Sequence, residues 1–163
     1  MNFWATAGLI AALLLVNFLL REKAGPDIVG RVSAGDGDSF RIGEERIRLE
    51  GIDAPELAQT CFRDGKEWPC GRESKAHLAR IIAGREITCT GTSRDRFDRV
   101  LARCRVGETD INAAQVRAGW AIAYGDYAAE EAEAEAERLG LWQGTFERPR
   151  DWRTMHGDMM PEF

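Results

Sequence analysis

Ile47-Arg48-Leu49-Glu50-Gly51-Ile52-Asp53-Ala54-Pro55-Glu56 is the stretch on which the reading of this chain turns. Its first residues alternate apolar and charged, the pattern of a half-buried strand. Its last residues set two carboxylates, Asp53 and Glu56, just beyond a strand with a proline between them. Pro55 disfavours a helical backbone at Ala54 and holds it extended, which fixes the direction of the Ala54 carbonyl. Two carboxylates and a carbonyl are hard oxygen donors of the kind that Ca²⁺ takes. Arg48 lies on the same stretch, and a guanidinium beside acids is placed to hold a phosphate that the ion also touches.

Working outward, Ile28 to Ala34 reads as a strand and Gly35-Asp36-Gly37 as a turn. Ser39 to Ile42 and Arg46 to Leu49 form a hairpin through Gly43, Glu44 and Glu45. Residues 57–71 read as a polar loop holding Cys61 and Cys70, which a disulfide would stiffen. Ser74 to Ala83 has helical spacing and Gly84 stops it. Arg85 to Thr90 and Val100 to Val106 form a second hairpin around Ser93 to Asp98. Centred between Arg96 and Phe97, it sets Cys89 opposite Cys104, close enough for a second disulfide. Asp110 caps a helix from Ile111 to Ala118, and Ala128 to Leu139 is rich in strong helix formers. The tail from Arg148 is polar with scattered aromatics. Five strands with a helix between the third and fourth imply an α+β domain, a five-stranded OB-fold β-barrel with about three helices.

The first 25 residues differ in composition from the rest. Phe3 to Leu20 carries no charge and no polar face, and as a helix it reaches roughly 27 Å, close to the thickness of a bilayer core. It reads as an uncleaved transmembrane anchor, with a cleaved export signal as the alternative. Residues 26–163 form the folded domain. Arg21 and Lys23 after the span point the domain inward, but Glu22 leaves them little net charge. The cysteines point outward: no Cys-x-x-Cys pair and no neighbouring histidine offers a zinc site, whereas two disulfides suit an oxidising compartment. The domain is therefore expected outside the cytoplasm, membrane-anchored through residues 3–20, and monomeric.

The net charge of −5 does not suit a polyanion binder, but its distribution decides more. Glu130, Glu131, Glu133, Glu135 and Glu137 account for the excess, while Arg94, Arg96, Arg99, Arg103 and Arg105 gather elsewhere. Phosphate binding can then be local.

Three clusters follow one another in order: Asp36-Gly37-Asp38-Ser39, the decisive stretch, and Asp95-Arg96-Phe97-Asp98-Arg99-Val100-Leu101-Ala102. Asp110-Ile111-Asn112, Val116-Arg117-Ala118-Gly119-Trp120-Ala121 and Gly140-Leu141-Trp142 come after them. Each alone is a common turn, ion pair or solvated hairpin tip. The ordered set resembles the staphylococcal nuclease family from about Val29 to Trp152. The resemblance implies that Asp38, Asp53 and the Ala54 carbonyl hold one Ca²⁺ and that Glu56 positions or deprotonates the attacking water. It also implies that Arg48 and Arg99 hold the scissile phosphate of DNA or RNA, with 3′-phosphate products. Arg96 and Tyr124 become substrate contacts. Phe97 stands where the family has a Tyr, and Asp98 where it has a Gly with room for a positive φ. The rival reading is a barrel that binds nucleic acid or protein without cutting. Such members usually lose the acids and arginines that are all present here.

Overall fold

The computed structural model describes residues 27–157. The expected anchor at residues 1–25 lies outside them. Among the described residues, no helix is long and apolar enough to cross a membrane.

The expected first strand is bent into two, β1 (Ile28–Gly30) and β2 (Val32–Ala34). Then come β3 (Ser39–Ile42), β4 (Glu45–Leu49) and the short β5 (Ile52–Asp53). A small hairpin of β6 (Cys61–Arg63) and β7 (Lys66–Trp68) lies within the polar loop. Helix α1 spans Cys70–Ile82. Strands β8 (Ile87–Arg94) and β9 (Val100–Val106) form the second hairpin, followed by β10 (Thr109–Asp110), α2 (Ile111–Arg117) and β11 (Ile122–Ala123). Helix α3 (Ala128–Ala136), a 3₁₀ turn (Gly140–Gln143) and α4 (Pro149–His156) complete the described chain.

The main sheet runs β1-β8-β9-β4-β3-β2. Its two ends, β1 and β2, are separated in the chain only by Arg31, so the sheet curls back on itself into a nearly closed barrel. Gly30 makes the corner possible: a Cβ there would lie 2.6 Å from Ile42 Cγ2. With β1 and β2 counted as one bent strand, the path has the expected five. The barrel interior follows the period-two pattern. Phe40, Ile42, Ile47 and Leu49 face inward from β3 and β4, and Val100, Ala102, Cys104 and Val106 from β9. Leu78 and Ile82 of α1 join that core, as do Ile111 and Val116 of α2.

Cys89 lies directly opposite Cys104 and is bonded to it, as the hairpin register requires. A bulge between Thr90 and Ser93 then shifts the pairing by one residue, and Gly91 there packs with its Cα against the Leu101 carbonyl. The second disulfide, Cys61–Cys70, ties the small hairpin to the start of α1 in a satellite core with Leu141, Trp68 and Phe146.

Two expectations need correction. Helix α1 begins at Cys70 rather than Ser74, because its first turn packs through small residues that give no apolar signal. A Cβ on Gly71 would fall 1.7 Å from the Glu56 carbonyl oxygen. The described residues also contain four α-helices rather than about three. Within the tail expected to be irregular, α4 starts with Pro149 in its first turn, where a missing N–H costs nothing, and buries Trp152.

Candidate active site

The site is built at one end of the barrel, where β3, β4 and β5 meet. The Asp36-Gly37-Asp38 turn is held by its own side chain: Asp36 Oδ1 accepts from the Asp38 amide (3.0 Å) and the Ser39 amide (2.7 Å). Only glycine fits at 37, since a Cβ there would lie 2.0 Å from Ser74 Oγ and 2.7 Å from Ala54 Cβ. The Gly37 carbonyl accepts from Gln115 Nε2 at 2.6 Å. Gln115 is fully buried on α2, and its Oε1 meets His77 Nδ1 of α1. The turn is thus pinned from both helices.

These constraints deliver Asp38 into the interior, 1% exposed. Its Oδ2 accepts from the Ala54 amide at 2.6 Å, and its Oδ1 pairs with Arg48 Nη1. Arg48 lies on β4 opposite Ser39, and its Nη2 donates to Asp53 Oδ1 at 2.7 Å. One guanidinium therefore bridges Asp38 and Asp53. Burial pushes the Asp38 carboxyl well above the usual range, Arg48 opposes that, and Asp36 and Asp53 add to it. The acids in turn hold the Arg48 proton more tightly than in water, against the effect of burial.

Asp53 is held in place by the pairing of β5 with β11, where it faces Ile122. Three residues on, the Glu56 amide donates to Gln59 Oε1 at 3.2 Å, and Gln59 Nε2 donates to the Glu147 carbonyl at 2.8 Å. The Glu56 side chain, expected to be exposed, is only 19% accessible because a guanidinium covers it. Arg153 of α4 donates from Nη1 to Glu56 Oε1 at 2.8 Å. It also grips Asp53 with two parallel bonds, Nη1 to Oδ1 and Nη2 to Oδ2, each 3.0 Å. The reading of the sequence missed Arg153. The signals available were Pro149 at a helix start and Trp152 as a buried anchor in what looked like a polar tail.

Asp38, Arg48, Asp53 and Glu56 thus fall into one hydrogen-bonded network, with Ala54 buried against it. Arg99 and Arg96 lie apart from that network, on the tip between β8 and β9. Arg99 Nε donates to Asp95 Oδ2 at 2.7 Å, and Asp95 Oδ1 accepts from the amides of Phe97 and Arg99. The exposed Phe97 ring lies under both guanidiniums, 4.6 Å from Arg96 and 5.4 Å from Arg99. The aromatic residue expected to lose a hydrogen bond thus gains two cation–π contacts. Asp98 has φ +62°, the positive angle anticipated for that position, and its carboxylate faces Arg94 at 3.6 Å. Tyr124 is 71% exposed, so it is no core residue. Tyr127 packs against the core, with its hydroxyl 3.3 Å from Asp110 Oδ2, and burial with that neighbour pushes its pKa up to about 12.

Among the described residues, no three acidic, histidine or cysteine side chains stand together as a ready cation cage. The donor set nevertheless fits a hard divalent ion. Asp38 and Asp53 turn their Oδ1 atoms toward a common cation, now the Arg48 guanidinium, and a buried carboxylate such as Asp38 needs one.

Residues 46–144 match the model of a family described as staphylococcal nuclease homologues. The chain is 33% identical to the succinoglycan biosynthesis protein ExoI of Rhizobium meliloti (strain 1021), over 85% of this chain and 75% of that one. It is 34% identical to an uncharacterized endonuclease of Escherichia coli, over 71% of this chain and 78% of that one. Against the "Probable endonuclease LCL3" of Verticillium alfalfae the identity is 29%, over 93% and 71% respectively. The match spans the strands, the bridged acids and the arginine-bearing hairpin described above, and the chain belongs to the staphylococcal nuclease family.

Proposed function

We propose that this protein is a divalent-metal-dependent nuclease, a hydrolase that cleaves phosphodiester bonds of DNA and RNA with little sequence preference and leaves 3′-phosphate ends. One observation carries the reading: a single guanidinium, Arg48, joins two carboxylates that the fold buries at the same end of the barrel, with Glu56 linked to the same group. Family membership and the relatives named as endonucleases support it.

Asp38, Asp53 and the Ala54 carbonyl would hold the ion, with Ca²⁺ as the expected metal because all the donors are hard oxygens. When bound, the ion supplies Lewis-acid polarisation of a phosphoryl oxygen. Glu56 orients the attacking water and takes its proton. Arg48 binds the scissile phosphate and stabilises the charge that builds on it, and Arg99 swings from Asp95 to do the same. Arg96, Phe97 and Tyr124 offer the adjoining nucleotides a cation and two exposed rings.

The two disulfides support an oxidising location. With residues 3–20 as the anchor, we place the domain on the outer side of a membrane.

The test is hydrolysis of single-stranded DNA and RNA with the disulfides oxidised, in Ca²⁺, in Mg²⁺ and in chelator. Calcium-dependent cleavage with 3′-phosphate ends supports the proposal. A folded protein that retains nucleic acid without cutting it in any metal would leave only a binding module.

A further inference from the structure

Arg153 is the one member of the hydrogen-bonded network that the family pattern did not assign. It reaches the site from α4, 100 positions along the chain from Asp53 and 97 from Glu56. Its placement is built. Trp152, its neighbour, is buried and stacks on His156 at 4.5 Å, which fixes the rotation of α4 and aims residue 153 at the carboxylates. The grip is bidentate on Asp53 and shared with Glu56, a geometry available to arginine and not to lysine.

Charge and lone pairs give this contact a consequence. Asp53 Oδ1 already accepts from both Arg48 and Arg153, and Oδ2 from Arg153. A divalent ion that takes Asp53 must displace part of this grip. The five linked side chains, three acids and two arginines, sum to −1. Adding a divalent ion while Arg153 stays on Glu56 brings the cluster to +1, which a phosphodiester of charge −1 neutralises. Without Arg153 the linked groups sum to −2, and the ion alone neutralises them.

We propose that Arg153 is a further residue of the active site, a positioning residue that holds the Asp53 and Glu56 carboxylates together and trades affinity for the divalent ion against affinity for the phosphodiester. This rests on the reading of Asp38 and Asp53 as ion ligands.

The test is calorimetric titration of Ca²⁺, without nucleic acid, into the wild-type protein, Arg153→Gln, Arg153→Lys and Asp53→Asn. It is followed by KM for single-stranded DNA at saturating Ca²⁺. Arg153→Gln binds Ca²⁺ about tenfold more tightly and shows a KM about tenfold higher, while Arg153→Lys, which keeps the charge, stays within about threefold of wild type in both. Shifts in these opposite directions are diagnostic, because a structural defect weakens both. Arg153→Met, which keeps the aliphatic stem, gives the same pair of shifts should the glutamine variant fail to fold. Unchanged or weaker Ca²⁺ binding in a folded Arg153 variant overturns the role of Arg153 alone, provided wild type binds Ca²⁺ and Asp53→Asn does not. Absence of Ca²⁺ binding in wild type overturns the ion reading and this role with it.

Discussion

The Ala54 amide donates to Asp38 Oδ2 at 2.6 Å, so the turn before β3 and the loop after β5 are locked to each other through the candidate ion site. The bond uses the backbone of residue 54, which is why its side chain is free to be a bare methyl. It also leaves Asp38 Oδ1 as the oxygen that meets a cation. Asp38→Asn keeps an acceptor for the Ala54 amide but turns an N–H₂ or a neutral oxygen toward Arg48. The variant is expected to fold and to lose about 100-fold or more in hydrolysis, as when a preorganised charge partner is removed. Hydrolysis of single-stranded DNA beside a circular-dichroism melt checks this, and near-wild-type activity would remove Asp38 from the site.

Glu56→Gln addresses the base. The Gln59 bond is to the Glu56 amide, so the loop is undisturbed, and only one contact from Arg153 is altered. Cleavage is expected to fall by about 10² to 10⁴, with KM little changed. Unchanged kcat would sink the proposed mechanism.

The disulfides are expected to matter to stability more than to geometry at the site. Cys89 and Cys104, 15 positions apart, close a loop for which chain entropy predicts about 3 kcal/mol. Replacing both with Ala should lower the urea midpoint accordingly. Because the hairpin is also held by its ladder, hydrolysis at low temperature should persist.

Asp98 adopts φ +62°, a region that costs non-glycine residues about 1 kcal/mol or more. Asp98→Gly relieves that strain and removes the acid next to Arg99 in the chain. The variant is expected to melt higher and to bind substrate with a lower KM. Thermal melts and steady-state kinetics would show both.

His77 gives a pH dependence. Its imidazole is held below its usual pKa, first by burial and also by Arg80, against the opposing bond to Gln115. A folded-state value below the unfolded one means that the unfolded chain binds the extra proton first. The stabilisation is then fully present above about pH 6.5 and is lost as pH falls through the folded value. Melting temperatures between pH 7.5 and pH 5 should decline, and His77→Gln should flatten that decline. An equal slope in both proteins would assign it to other groups.

What the sequence by itself determined is what local pattern and covalent geometry control. Apolar alternation in β3, β4 and β9 marked the barrel wall. The positions of Cys89 and Cys104 set the register of their hairpin, and Pro55 after Asp53-Ala54 marked the acid loop. The order of the three charged clusters identified the family and the acids and arginines of the site. Tertiary structure alone decided how the barrel closes, through the parallel pairing of β4 with β9 and the bend at Arg31. It alone decided that Gln115 and His77 brace the Asp38 turn and that Arg153 grips Asp53 and Glu56. The physical reason is that these are pairings between side chains 38 to 100 positions apart. A buried glutamine or an arginine in a polar tail carries no periodic signal of its own. Its partner is chosen only when α1, α2 and α4 settle onto the barrel and bring the two together.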